Sequence, residues 1–250
     1  MSSRLNGKVA VVTGSTRGIG EAIVRRLAAE GARVVVSGID SADGVRVARE
    51  IGATYVDADV RLPARCEGLI DEVVREHGRI DVLVNNAGVF PSLSLEASTA
   101  EAWDQVFSVN ARGAYLCSRA AVPHLRNGGG GVIVNIGTTL AYRGSEDRIA
   151  YAASKGALLS LTKTMAHAFA KDRIRCNWVT VGWVASPGEI ALRDELTGNG
   201  RAYLAERGER TPFGRIETTE EIAAGVAYLS SDEAAHITGC ELNISGGMWI

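Results

Sequence analysis

No apolar run in this chain approaches the roughly 18 residues that a membrane-spanning helix needs, and neither sign of charge is in excess. Lysine plus arginine number 27 against 29 aspartate plus glutamate, a formal net charge of -2, so no long-range field would gather nucleic acid or anionic lipid. Cysteine is scarce. Cys66, Cys117, Cys176 and Cys240 are widely scattered in apolar or helix-like stretches, without metal-ligand spacing; they read as reduced core thiols. His77, His124, His167 and His236 have no paired carboxylate or cysteine spacing. No role is assigned to them, and no metal is expected. Met1 to Lys8 is short and polar, which gives a cytoplasmic protein as the expectation. What is present suits a metabolic protein acting on a small molecule. Hydrophobic residues make up 46% of the 250 and charged ones 22%, enough for one substantial core and a single domain over 1–250.

Short β-branched runs alternate with longer helical patterns. Lys8 to Thr13 reads as a strand and Gly18 to Glu30 as its helix; the strand pattern returns at Val34 to Ser37, Thr54 to Ala58, Ile80 to Asn85 and Val132 to Ile136. Ala64 to His77 is amphipathic. Further on come a helix over Tyr151 to Ala170, a strand over Ile174 to Thr180, a helix near Glu220 to Leu229 and a last strand near Glu241 to Ile244. Near-continuous apolar strands indicate a parallel sheet covered on both faces, hence an α/β, doubly wound Rossmann-type fold. Gly128 to Gly131 reads as a flexible turn entering a strand. The stretch 187–212 is the least sheet-like, and long connections of this kind are often lids.

The first strand runs into Thr13-Gly14-Ser15-Thr16-Arg17-Gly18-Ile19-Gly20, which opens directly into a helix. Glycines let the backbone turn tightly and approach a pyrophosphate, and the helix start offers free N–H groups and the positive end of its dipole. An ordinary tight turn is the competing reading, disfavoured by the strand before, the helix after and the βα repeats downstream. Asp59-Val60 follows the third strand and Asn85-Asn86-Ala87-Gly88 the fourth, where ligands of such sheets bind; Asp59 could accept from an adenine amino group, and Ala87 and Gly88 let a ring lie against backbone. Either segment alone is as compatible with turn chemistry.

Tyr151-Ala152-Ala153-Ser154-Lys155 begins a helical stretch, so its tyrosine and lysine share one face. A free tyrosine titrates at about 10, too high for a base at neutral pH; a nearby cation stabilises the phenolate and lowers that value.

On Gly14, Gly18, Gly20, Asn85-Asn86-Ala87-Gly88, Asn110, Tyr151 and Lys155, the chain resembles the short-chain dehydrogenase/reductase family over nearly its whole length. The resemblance implies NAD or NADP as cofactor, a Rossmann-type domain and a homotetramer or homodimer. It assigns cofactor contacts to Gly14, Thr16, Arg17, Gly18, Ile19, Gly20, Ser37, Ile39, Asp59, Val60, Asn86, Ala87, Gly88, Gly182, Val184 and Ser186, and to Tyr151 and Lys155. The position that carries a carboxylate for the adenosine ribose falls on Gly38, and the neighbouring arginine position on Ile39. Arg17 could meet a 2′-phosphate, whereas Asp40 would repel one, a balance that leans to NAD. By the same resemblance Lys155 also holds the nicotinamide ribose and Asn110 keeps a water that relays protons.

Two departures from the family pattern stand out. The serine that orients the substrate oxygen is replaced by Thr138, which keeps the hydroxyl and adds a methyl; Thr139 is the alternative should the register slip. Val181 stands where proline usually precedes glycine, and Gly182 is kept for close approach to the nicotinamide. Pocket walls are expected from Thr139, Arg143 and Trp183. The polar stretch from Tyr142 to Arg148 points to a polar substrate, polyhydroxylated or anionic, against an equally weighted reading as a solvated loop or subunit contact. The expected reaction is interconversion of a secondary alcohol and a ketone on a sugar-like or hydroxy-acid substrate; a catalytically impaired NAD(P) sensor or scaffold is the alternative. A cofactor-free lyase is disfavoured by the glycine cradle.

Overall fold

Seven strands lie parallel in the order β3-β2-β1-β4-β5-β6-β7. They are β1 (Val9–Val12), β2 (Arg33–Gly38), β3 (Thr54–Asp57), β4 (Val82–Asn85), β5 (Gly131–Ile136), β6 (Ile174–Val181) and β7 (Glu241–Ile244). The structure, a computed structural model, describes residues 3–248. Trp249 and Ile250, expected at a subunit interface, lie outside the described residues. Helices are α1 (Gly18–Ala29), α2 (Ser41–Ile51), α3 (Pro63–His77), α4 (Ala100–Phe107), α5 (Ala114–Asn127), α6 (Ile149–Ala168), α7 (Pro187–Thr197), α8 (Gly200–Glu209) and α9 (Thr219–Ser230).

The side-chain period of two splits each central strand between two cores. Ala10 and Val12 face the layer formed by α1, α2 and α9, with Ile23, Leu27, Val47 and Val226. Val9 and Val11 face the layer of α3, α5 and α6, with Leu69, Val73, Leu125 and Met165. Both faces are therefore dry, which explains why the strands read as continuous apolar runs. Cys66, Cys117 and Cys176 are buried in this framework, Cys240 is half-buried, and all four are free thiols. Among the described residues no helix is long and apolar enough to cross a membrane, and no group of three or more metal-ligating side chains converges.

Two features were absent from the sequence reading. Asp40 caps α2, accepting from the Asp43 N–H at 3.2 Å. Between α4 and α5 runs a π-helical turn, Ser108–Gly113, that holds Asn110. The lid stretch is also more ordered than a loop: it is α7 and α8, started by Ser186, which accepts from Glu189 N–H, and by Asn199, which accepts from Ala202 N–H. Strand order reverses at β1, which pairs with β2 on one side and β4 on the other. The crevice beyond the carboxyl ends of these strands is where such sheets place a ligand.

Candidate active site

A cleft of about 670 Å³ opens at that reversal. Its floor is a zipper between two loops. The Thr13 hydroxyl accepts from the N–H groups of Asn86 and Ala87, each at 3.1 Å, while Asn86 Nδ2 donates to the carbonyls of Thr13 and Gly14 at 3.0 and 2.8 Å. Contact is so close that a Cβ on Gly14 would lie 2.7 Å from Ala87 Cα, and one on Gly20 would lie 2.2 Å from the Gly14 carbonyl oxygen. No side chain caps α1. Its first N–H groups and dipole therefore face the cleft, as an anion cradle requires. These features fit the pyrophosphate of a dinucleotide.

Gly14, Thr16, Arg17, Gly18, Ile19, Gly20, Ile39, Asp59, Val60, Asn86, Ala87, Gly88, Gly182, Val184 and Ser186 all line the cleft. Ser37 does not. It is fully buried, and its amide and carbonyl bond with Ser15, behind the floor. At Gly38 a Cβ would lie 2.8 Å from Thr16 Cγ2, so Thr16 fills the space where the family carries a carboxylate. Asp59 lies at the wall with both oxygens engaged by Arg61, at 3.0 and 2.6 Å, and that guanidinium holds its carboxyl below the usual range. Ser186 accepts from the Glu189 N–H at 3.2 Å, which leaves its hydroxyl proton free to donate.

Thr138, Tyr151 and Lys155 line the same cleft. Tyr151 sits in the first turn of α6, and of the two threonines it is the Thr138 hydroxyl that acts on its phenol. Burial pushes the phenol up; the Thr138 hydroxyl and then the Arg148 charge pull it back. Lys155 follows one turn later on the same face of α6. Its ammonium donates to the Ile136 carbonyl at 2.7 Å and lies 5.9 Å from the Tyr151 ring centre. Burial brings the lysine down to about 8, because a dry site disfavours the ammonium.

Asn110 is 1% exposed and lies just behind the cleft, its Oδ1 and the Lys155 ammonium both bordering Gly88. Its Oδ1 accepts from Val89 N–H, and its Nδ2 donates to the Val89 carbonyl and to Ser154 Oγ, at 2.8, 2.8 and 3.1 Å. Ser154 in turn donates to the Tyr151 carbonyl. With the side chain saturated by protein partners, Asn110 positions the Tyr151 turn and the loop after β4.

The outer wall brings Thr139, Arg143 and Trp183 together with Phe90, Arg148, Glu189 and Arg193. Buried Glu189 accepts from Trp183 Nε1 and Arg193 Nε, both at 2.8 Å. The Arg193 guanidinium lies over the rings of Trp183 and Tyr203 at 5.4 and 5.5 Å, joining α7 and α8 to the loop after β6. Arg148 donates to the Phe90 carbonyl at 2.6 Å and lies over the Phe90 ring, which meets Tyr151 edge to face.

Comparison with known proteins agrees with this geometry. The family described as enoyl-(acyl carrier protein) reductase matches residues 14–249. L-fucose dehydrogenase of Mus musculus is 36% identical over 98% of this chain and 89% of its own, and an uncharacterised oxidoreductase of Methylorubrum extorquens is 38% identical over 98% and 99%. The chain belongs to the short-chain dehydrogenase/reductase family. Among solved structures, the aldohexose dehydrogenase of Thermoplasma acidophilum superposes with a TM-score of 0.92 at 33% identity, covering 99% of this chain and 96% of that one. Levodione reductase superposes with a TM-score of 0.92 at 30% identity, over 98% of each chain. As a short-chain dehydrogenase/reductase the protein is an oxidoreductase, and the family implies NAD(P) as its cofactor. Glu189 and Arg193 line the cleft without any signal from the sequence motifs, whereas Arg148 closes the polar stretch that the sequence singled out.

Proposed function

We propose that this enzyme oxidises a ring or chain hydroxyl of a polyhydroxylated, sugar-like substrate and catalyses the reverse reduction. The convergence of the Tyr151 phenol, the Thr138 hydroxyl and buried Lys155 beside an uncapped helix start carries this reading. A bound nicotinamide supplies a hydride acceptor or donor. Tyr151 takes the substrate's hydroxyl proton in oxidation and returns it in reduction, within reach of general acid–base catalysis. Thr138 bonds both phenol and substrate oxygen. Lys155, with its charge in a dry site, is suited to the nicotinamide ribose hydroxyls. Trp183, Arg143 and the Glu189–Arg193 pair offer an aromatic face and charged donors and acceptors to the remaining hydroxyls, and the names of the two sugar dehydrogenases among the relatives support that class.

NAD is the favoured cofactor in this reading. Asp40 lines the cleft beyond Ile39 as a carboxylate, opposing a 2′-phosphate and outweighing the attraction of Arg17. A homo-oligomer fits the α4–α5 surface, where Trp103 and Tyr115 are 38% and 45% exposed; sedimentation of Tyr115→Glu should show a smaller species than the parent.

Titration with NADH and NADPH through nicotinamide fluorescence, followed by a panel of aldoses, polyols and hydroxy acids, tests the assignment. Tyr151→Phe should lower turnover about 10²- to 10⁴-fold with dinucleotide affinity kept. Normal turnover by that variant would remove Tyr151 from the chemistry.

A further inference from the structure

Gly182 is hemmed in from the side away from the cleft. A Cβ there would lie 2.5 and 2.8 Å from the two carboxylate oxygens of Glu217 and 3.0 Å from its Cδ. Glu217 is 5% exposed and does not line the cleft. A side chain at position 182 would thus press on a carboxylate behind the loop, a constraint separate from close approach of a ligand in front of it.

Glu217 grips that loop along its length. Its N–H donates to the Trp183 carbonyl at 3.0 Å, its carbonyl accepts from Ala185 N–H at 3.1 Å, and its carboxylate lies against the Gly182 backbone, whose amide favours the ionised form. The other side of the segment Gly182–Val184 forms cleft wall. Among the described residues Glu217 has no cation of its own: Arg215, on the same loop, is turned to Glu221 of α9, donating to Oε2 at 2.9 Å. One carboxylate oxygen, Oε2, is buried without a partner. Burial and the like charge of Glu221 raise the carboxyl against the Gly182 amide and Arg215, to about 7.

We propose that Glu217 is a positioning residue for the cofactor, its ionised carboxylate holding the Gly182 amide so that Gly182–Val184 keeps the shape that meets the nicotinamide end. This rests on the reading that a dinucleotide lies along the cleft with its nicotinamide at the β6 end. Protonation weakens the grip, so dinucleotide affinity falls as the pH drops through neutrality. The Gly182–Glu217 pair acts as a unit, since the Glu217 carboxylate fills the space that a Cβ at position 182 would take.

The test is NADH binding by fluorescence from about pH 8 to about pH 6, together with thermal melts. It compares the parent with Glu217→Gln, Glu217→Gly, Gly182→Ala and the double variant Gly182→Ala/Glu217→Gly. The parent's Kd should rise several-fold across that range and that of Glu217→Gln should stay flat. Gly182→Ala should weaken binding roughly tenfold through overpacking, and removing Glu217 in the double variant should restore most of it. Parallel pH profiles for parent and Glu217→Gln overturn the proposal, as does a change in melting temperature with an unchanged Kd profile. Equal damage by Gly182→Ala in both backgrounds also overturns it. pH-independent binding by the parent overturns the role of Glu217 alone, whereas no binding at any pH overturns the cofactor reading as well.

Discussion

Thr138 differs from the family's serine by a methyl, and the structure shows what the hydroxyl does there. It favours the ionised phenol of Tyr151, opposing the burial that raises it. A donor to the phenolate stabilises the charged form, so removing it raises the phenol further. Thr138→Val should therefore shift the pH–rate profile for alcohol oxidation to higher pH and lower turnover by on the order of 10². Thr138→Ser should keep both the profile and most of the rate. A Thr138→Val enzyme with an unshifted profile would mean that Tyr151 is tuned by its cationic neighbours and not by this hydroxyl.

At the scale of elements, α7 and α8 are tied to the loop after β6 by one carboxylate. Glu189 in the first turn of α7 satisfies both Trp183 and Arg193, and Arg193 bridges to Tyr203 of α8. Glu189→Ala leaves a buried indole N–H and a guanidinium without their acceptor, a loss of about 1–3 kcal/mol. Its expected signature is a sugar KM raised about tenfold with unchanged dinucleotide Kd; equal loss of both would show the lid to be part of the cofactor site. Legibility followed contiguity. The cradle Gly14–Gly20, the Asn86–Gly88 loop and the Tyr151–Lys155 turn are local patterns, and β1, β2 and β4 are short valine-rich runs, so all could be read directly. Helix α2 could not, because its buried face is only Gly44, Val47 and Ala48. Glu217, Arg148 and Glu189 acquire their roles from residues brought near by folding, and the sequence around each reads as an ordinary charged loop or helix start. Ser37 went in the opposite direction: motif alignment placed it at the site, and the fold buries its side chain behind the cleft floor.

For the whole molecule, Arg4 joins the beginning of the chain to its later elements. It pairs with Glu30 at the end of α1, at 2.7 Å, and with Glu233 after α9, at 2.9 Å. Burial pushes the Glu30 carboxyl up, but hydrogen bonds from Arg4 and Arg26 bring it net below its ordinary 4.5. The stabilisation is thus present above that value and lost as pH falls through the lower, folded one. Arg4→Met should cost about 1–3 kcal/mol near neutrality, read by denaturant unfolding, and the difference from the parent should shrink as the medium is acidified below about 4.5. A difference that persists in acid would assign the loss to packing of the arginine stem.

Because β1 lies between β2 and β4, the order of synthesis is not the order of assembly. A ribosome releases β1, β2 and β3 first, and these can pair among themselves, yet the other edge of β1 has no neighbour until Val82, Leu83 and Val84 emerge. During that interval a nascent chain presents an apolar, unpaired strand edge, the kind that recruits a chaperone or another chain.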